Sequence, residues 1–266
     1  MVGKPYIGVT GITTREQALG IFSYFQPPQG LNRLLMLGVL VSETTLQGKE
    51  NKYPNRYPKI GEIGEIFFPG EDLLNLVHYH NRTENTADLC EQLSRITKLA
   101  GPYFNGFQLN ITWPPVSELI KFHKREPFKF IVFQVNNGVM DSVKHNPYSL
   151  ESRIKEEYID GNSGLIDYIL LDPSGGQGKR FDLNKTLQTI EVLRELNLPL
   201  VVAGGLRPGN LFELLPGVCS VYPDISIDAE GGLRDNPKTT DDLNLSKVHK
   251  YINTAVKIFT PVNSTA

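Results

Sequence analysis

The side chains able to do chemistry in this chain gather where short apolar runs stop. Thr10 and Gly11 close the first such run, Ser42 the second, and His78 and His80 the third. Gln108 with Asn110, Gln134 with Asn136, Asp172, Gly204 with Gly205, and Ser226 with Asp228 close the rest. Side chains alternate along a strand, so residues two apart share a face, and each amide pair points one way. A buried sheet interior is ordinarily Val, Ile and Leu. Amides there predict a pocket offering donors and acceptors to hydroxyls, a carboxylate or a heterocycle. The alternative is that they turn outward to loop backbone.

The richest segment is Asp172-Pro-Ser-Gly-Gly-Gln-Gly-Lys-Arg-Phe-Asp, directly after the apolar run Tyr168–Leu171. Gly175, Gly176 and Gly178 let backbone turn tightly and approach a ligand closely. Asp172 ends a buried strand, where desolvation raises a carboxyl pKa and fits it to donate a proton. Glycines recur in Ala203-Gly204-Gly205-Leu206 and in Glu230-Gly231-Gly232, a pattern suited to holding phosphate on backbone amides. His78 and His80 place two imidazoles on one face, a spacing that metal-dependent hydrolases also use. Later strand ends supply Asn136 and Asp172 rather than further histidines, so a polar or capping role competes with a metal-assisted hydrolase or lyase built on His78, His80 and Asp172.

The elements that would position these groups alternate strand and helix throughout. Strands are predicted at Pro5–Thr10, Arg33–Ser42, Leu73–Tyr79, Phe104–Thr112, Phe128–Val135, Leu165–Leu171, Leu198–Ala203 and Val221–Ile227. Helices are predicted at Thr14–Phe25, near Ile60 to Phe67, and at Glu84–Leu99, Ser117–Lys124, Ser149–Tyr158, Leu183–Leu196, Asn210–Leu215 and Leu245–Val256. Strict alternation implies a parallel sheet with right-handed crossovers. The number of repeats, with 266 residues in all, favours one closed (β/α)8 barrel over residues 1–266. Glu43–Tyr57 lacks periodicity and is predicted to be an enlarged loop after strand two, a lid or binding loop.

A formal net charge of −2 argues against a nucleic-acid surface. Cys90 and Cys219 stand far apart in no metal or redox spacing, consistent with a reducing compartment. Met1 to Tyr6 shows no signal-peptide pattern, and no apolar run reaches the roughly 20 residues that span a bilayer. A cytoplasmic protein with a small-molecule ligand, and neither membrane nor nucleic-acid partner, is expected.

These motifs resemble phosphoribosylanthranilate isomerase. The likeness is strongest at Gly11-Ile12-Thr13, Asp172 to Asp182, Ala203 to Leu206 with Pro208 and Asn210, and Asp224 to Asp235. It implies a (β/α)8 barrel, no cofactor, and an Amadori rearrangement. In that reaction an acid protonates the furanose ring oxygen, and a base then removes the C2′ proton from the Schiff base. Carried over, Asp172 is the acid, Gly204, Gly205 and Ser226 lie around the phosphate, and Arg56 receives the anthranilate carboxylate. Gln108, Asn110, Asn136, Gly175 and Gly176 complete the expected binding set. Two positions depart from the family. Thr10 stands where the family has its cysteine base, and Asp228 stands where it has a small residue in the phosphate loop. A threonine hydroxyl is too weak to replace a thiolate near neutral pH. The base then falls to Asp228 or to His78 or His80; the other outcome is an inactive barrel that only binds its ligand.

Overall fold

A computed structural model describes residues 3–81, 86–161, 164–172, 182–236 and 241–260. Eight parallel strands close into a barrel in chain order, β1 pairing with both β2 and β8. They are β1 Tyr6–Thr10, β2 Leu34–Ser42, β3 Leu73–His80, β4 Gly106–Asn110, β5 Phe130–Val135, β6 Tyr168–Leu171, β7 Leu200–Val202 and β8 Ser226–Ala229. The helices are α1 Arg15–Tyr24, α2 Glu43–Leu46, α3 Ile63–Ile66, α4 Leu89–Ala100, α5 Val116–Arg125, α6 Asn137–Ser142, α7 Pro147–Ile154, α8 Leu183–Leu193, α9 Leu211–Val221 and α10 Leu245–Phe259.

Two apolar layers hold this arrangement. The outward faces of the strands pack against the helices through Ile7, Val9, Leu37, Val77, Phe107 and their neighbours. The inward faces fill the lower barrel with Tyr6, Leu34, Met36, Leu74, Leu76, Val132, Tyr168, Leu170 and Val201. Arg33 fastens the bottom, where its guanidinium lies 3.5 Å from the centre of the Phe259 ring and donates to the Ile225 and Pro223 carbonyls.

The predicted architecture holds, with two shifts that matter for the site. The stretch Glu43–Tyr57 begins with a turn of helix, because Ser42 and Thr45 cap each other reciprocally, and later carries a 3-10 turn at Pro54–Arg56. The predicted short helix from Asn210 instead runs on to Val221 through Pro216. Pro216 is exposed, so the carbonyl its ring leaves unbonded faces water. Strand β8 therefore starts at Ser226, which moves the predicted strand end upward.

Candidate active site

Above the apolar layer the same strands turn polar on their inner faces. Thr10, His78, Gln108, Gln134, Asp172 and Asp228 are all buried there. Two hydrogen-bonded groups result. In the first, Thr10 Oγ1 donates to Asp228 Oδ1 at 2.8 Å and lies 3.3 Å from His78 Nδ1. In the second, Gln108 Nε2 donates to Gln134 Oε1 at 3.0 Å, and Gln134 Nε2 donates to Asp172 Oδ2 at 3.2 Å.

The first group exists because of Gly38. Thr10 pairs with Gly38 on β2, which pairs with Leu76 on β3, so β1 and β3 meet only across β2. A Cβ on Gly38 would stand 2.5 Å from Thr10 Oγ1 and 2.9 Å from His78 Nε2. The missing side chain is the space in which the two touch.

Burial sets the charges. It pushes the Asp228 carboxyl up to about 7; the Thr10 hydrogen bond opposes the rise, while the charges of Glu230 and Asp172 add to it. Burial also pushes His78 down to about 3. His78 is therefore neutral near pH 7, and the 4.0 Å approach of its Nδ1 to Asp228 Oδ2 is not an ion pair. A carboxyl that titrates near neutrality can both take and return a proton.

The remaining expected residues divide. Asn136 Nδ2 donates to Asn110 Oδ1, while Asn136 Oδ1 caps α6 at Val139 N. His80 Nδ1 lies 3.3 Å from the Asn110 carbonyl. Arg56 Nη1 lies 3.3 Å from Glu230 Oε1, so the enlarged loop is tied to the segment after β8. Gly204 and Gly205 have φ of 85° and 72°, the left-handed region that glycine fills without strain. Asn210 holds that turn, its Oδ1 accepting from Arg207 N and its Nδ2 donating to Gly205 O. Gly175 and Gly176 lie outside the described residues.

Ser226 and Asp228 depart from expectation. Ser226 opens β8 at the bottom of the barrel, fully buried, with its Oγ accepting from Tyr6 N. It is a structural link between strands and no part of a phosphate site at the mouth. Asp228 lies within β8 beside Gly8, facing Thr10, not in the loop that follows. Among the described residues no cluster of three or more His, Cys, Asp or Glu could hold a metal, so His78, His80 and Asp172 do not form the metal centre considered as an alternative.

Sequence reasoning missed Glu230, which lies between Arg56 and Arg234, the latter 3.5 Å away and buried. No local pattern marks it, since Arg56 lies on a different loop. The contact of Thr10 with His78 was also missed, although a lone glycine inside an apolar strand was its available signal.

The chain is thus a closed (β/α)8 barrel with two buried carboxyls, Asp172 and Asp228, towards the C-terminal ends of its strands. No family model matches the chain. It is 25% identical to the tryptophan biosynthesis protein TRP1 of Phytophthora nicotianae over 94% of its own length, and spans 48% of that relative. It is 28% identical to an N-(5'-phosphoribosyl)anthranilate isomerase of a Thermoanaerobacter species over 56% of this chain and 72% of that one. The crystal structure of phosphoribosyl anthranilate isomerase from Thermus thermophilus superposes with a TM-score of 0.62 at 15% identity, covering 95% of this chain and 99% of the other. The chain is a phosphoribosylanthranilate isomerase-like (β/α)8 barrel. It spans less than half the length of the first of these relatives. Among the described residues no helix is long and apolar enough to cross a membrane.

Proposed function

We propose that this barrel binds a small, phosphorylated, sugar-derived ligand at its C-terminal mouth and isomerises it by an Amadori-type rearrangement with a relocated base. The observation that carries this reading is Asp228. Its carboxyl is buried, pushed up to about 7, and lies 2.8 Å from the Thr10 hydroxyl, the position that the resemblance matches to the family's cysteine. The base is displaced by one side chain, and the pocket keeps a proton acceptor beside position 10.

In this reading Asp172 gives its proton to the furanose ring oxygen as the ring C–O bond breaks, leaving a Schiff base. Asp228 then takes the C2′ proton, and the resulting enol-amine relaxes to the ketone. Two carboxyls in different surroundings can divide acid and base roles in this way. Thr10 orients Asp228. The amides of Gly204, Gly205 and the turn after β8 receive the phosphate, while Arg56 leaves Glu230 for the ligand's carboxylate. Gln108, Asn110 and Asn136 line the polar wall.

The test is loss of phosphoribosylanthranilate fluorescence, followed with wild type and Thr10→Cys side by side. Turnover by wild type is expected. Turnover by Thr10→Cys alone would mean that position 10 must itself be the base. Silence from both would count against phosphoribosylanthranilate as the substrate.

A further inference from the structure

The two glutamines above the apolar layer form a ladder with one open end. Gln108 donates to Gln134 and Gln134 donates to Asp172, so every donor in the run points towards the carboxylate. Among the described residues Gln108 Oε1 has no partner although it is buried. A buried acceptor left unpaired is costly, and its persistence asks for an explanation.

An amide answers this by symmetry. Its oxygen and NH2 ends have nearly the same size, so a half-turn about the last bond exchanges acceptor for donor without disturbing the packing. As the ladder stands, Asp172 receives a donor, which suits its ionised form. Once Asp172 carries its proton on Oδ2, that hydroxyl faces the Gln134 amide nitrogen, which cannot accept from it. Turning Gln134 supplies an acceptor, and turning Gln108 as well lets Gln134 Nε2 donate to the previously unpaired Gln108 Oε1. Both states keep two hydrogen bonds, and they differ in the protonation of Asp172. In the second state Gln108 presents NH2 where it had presented oxygen. Gln108 on β4 is in register with His78 on β3, and His78 in turn lies 3.3 Å from Thr10.

We propose that Gln134 and Gln108 are positioning residues that turn together with each protonation change of Asp172 and carry its state along the barrel wall to the side where Asp228 sits. The functional meaning rests on the acid role given to Asp172 above, since an acid must be protonated before the reaction and ionised after it. The ladder itself requires no substrate, so it can be tested apart from that reading.

The experiment is NMR on the ligand-free full chain across pH. The Asp172 carboxyl carbon is assigned by its loss in Asp172→Asn, and the Gln108 side-chain amide by its loss in Gln108→Met. The Gln108 signal is expected to shift with the same midpoint as the Asp172 carboxyl, although the two do not touch. In Gln134→Met the Asp172 titration should remain visible while Gln108 no longer responds at the Asp172 midpoint. A Gln108 signal that stays flat through the Asp172 titration in wild type would overturn the proposal. So would a Gln108 response at the Asp172 midpoint that persists in Gln134→Met, because a direct field effect of Asp172 would then account for it; a separate response to Asp228 is expected in every variant.

Discussion

The lower and upper halves of the barrel interior are built from the same strands and do opposite things. On β3, Leu74 and Leu76 give way to His78; on β5, Val132 gives way to Gln134; and Leu170 on β6 gives way to Asp172 just past its end. One step of two residues along a strand separates a side chain that only packs from one that bonds. The lower half gains its stability from apolar area. The upper half spends some of it, because Asp228 and the open end of Gln108 are buried polar groups that an apolar layer would not carry. Stability and chemistry are thus stacked along one axis, and substitutions should separate them.

The largest effect is expected from Asp172→Asn. It should cut turnover of phosphoribosylanthranilate by roughly 10²–10⁴-fold, the usual contribution of a positioned acid, with little change in thermal midpoint. Unimpaired turnover would remove Asp172 from the mechanism. In the lower half, Leu76→Ala should cost about 2–5 kcal/mol in denaturant unfolding, since it leaves a cavity among fully buried neighbours. A cost below about 1 kcal/mol would mean that the lower half does not hold the fold by packing and would erase the contrast between the halves.

Gly38→Ala sits on the boundary. Its methyl group must push Thr10 and His78 apart, and overpacking of this kind costs about 1–3 kcal/mol. Activity should fall further than stability does, because the same shift moves Thr10 off Asp228. A variant as active as wild type would show that the Thr10, His78 and Asp228 group is dispensable.

The smallest effect is the pH dependence of wild-type stability, where two buried groups oppose each other. Folded Asp228 keeps its proton up to about 7, whereas an ordinary Asp loses it near 3.8, so acidification through that window favours the fold. Folded His78 takes a proton only near 3, whereas an ordinary His takes one at 6.5, so acidification below 6.5 favours unfolding. These slopes overlap and offset, so the contribution of the pair should be shallow between pH 4 and 6.5. Asp228→Asn removes one of them and should make the unfolding midpoint fall more steeply on acidification below 6.5. Parallel profiles for the two proteins would mean that Asp228 is ionised in the fold throughout.

Much of this was legible in the residues. Apolar runs marked every strand but the eighth to within three positions, and inward amides at Gln108 and Gln134 marked the polar wall. Position 226 was misplaced because Pro216 reads as a helix stop, yet on an exposed face it is tolerated. The pairing of Thr10 with His78 spans 68 positions, and that of Arg56 with Glu230 spans 174. Such contacts are made by barrel closure and carry no local periodicity. Only Gly38, a glycine without an obvious turn to make, hinted that two side chains met over it.

The central claim is that the base has moved from position 10 to Asp228. Its most direct test is phosphoribosylanthranilate turnover by Asp228→Asn beside wild type near pH 7.5, with folding checked by near-UV circular dichroism. The variant should fold and fall to the level of Asp172→Asn. A folded Asp228→Asn that turns over substrate at the wild-type rate would contradict the claim.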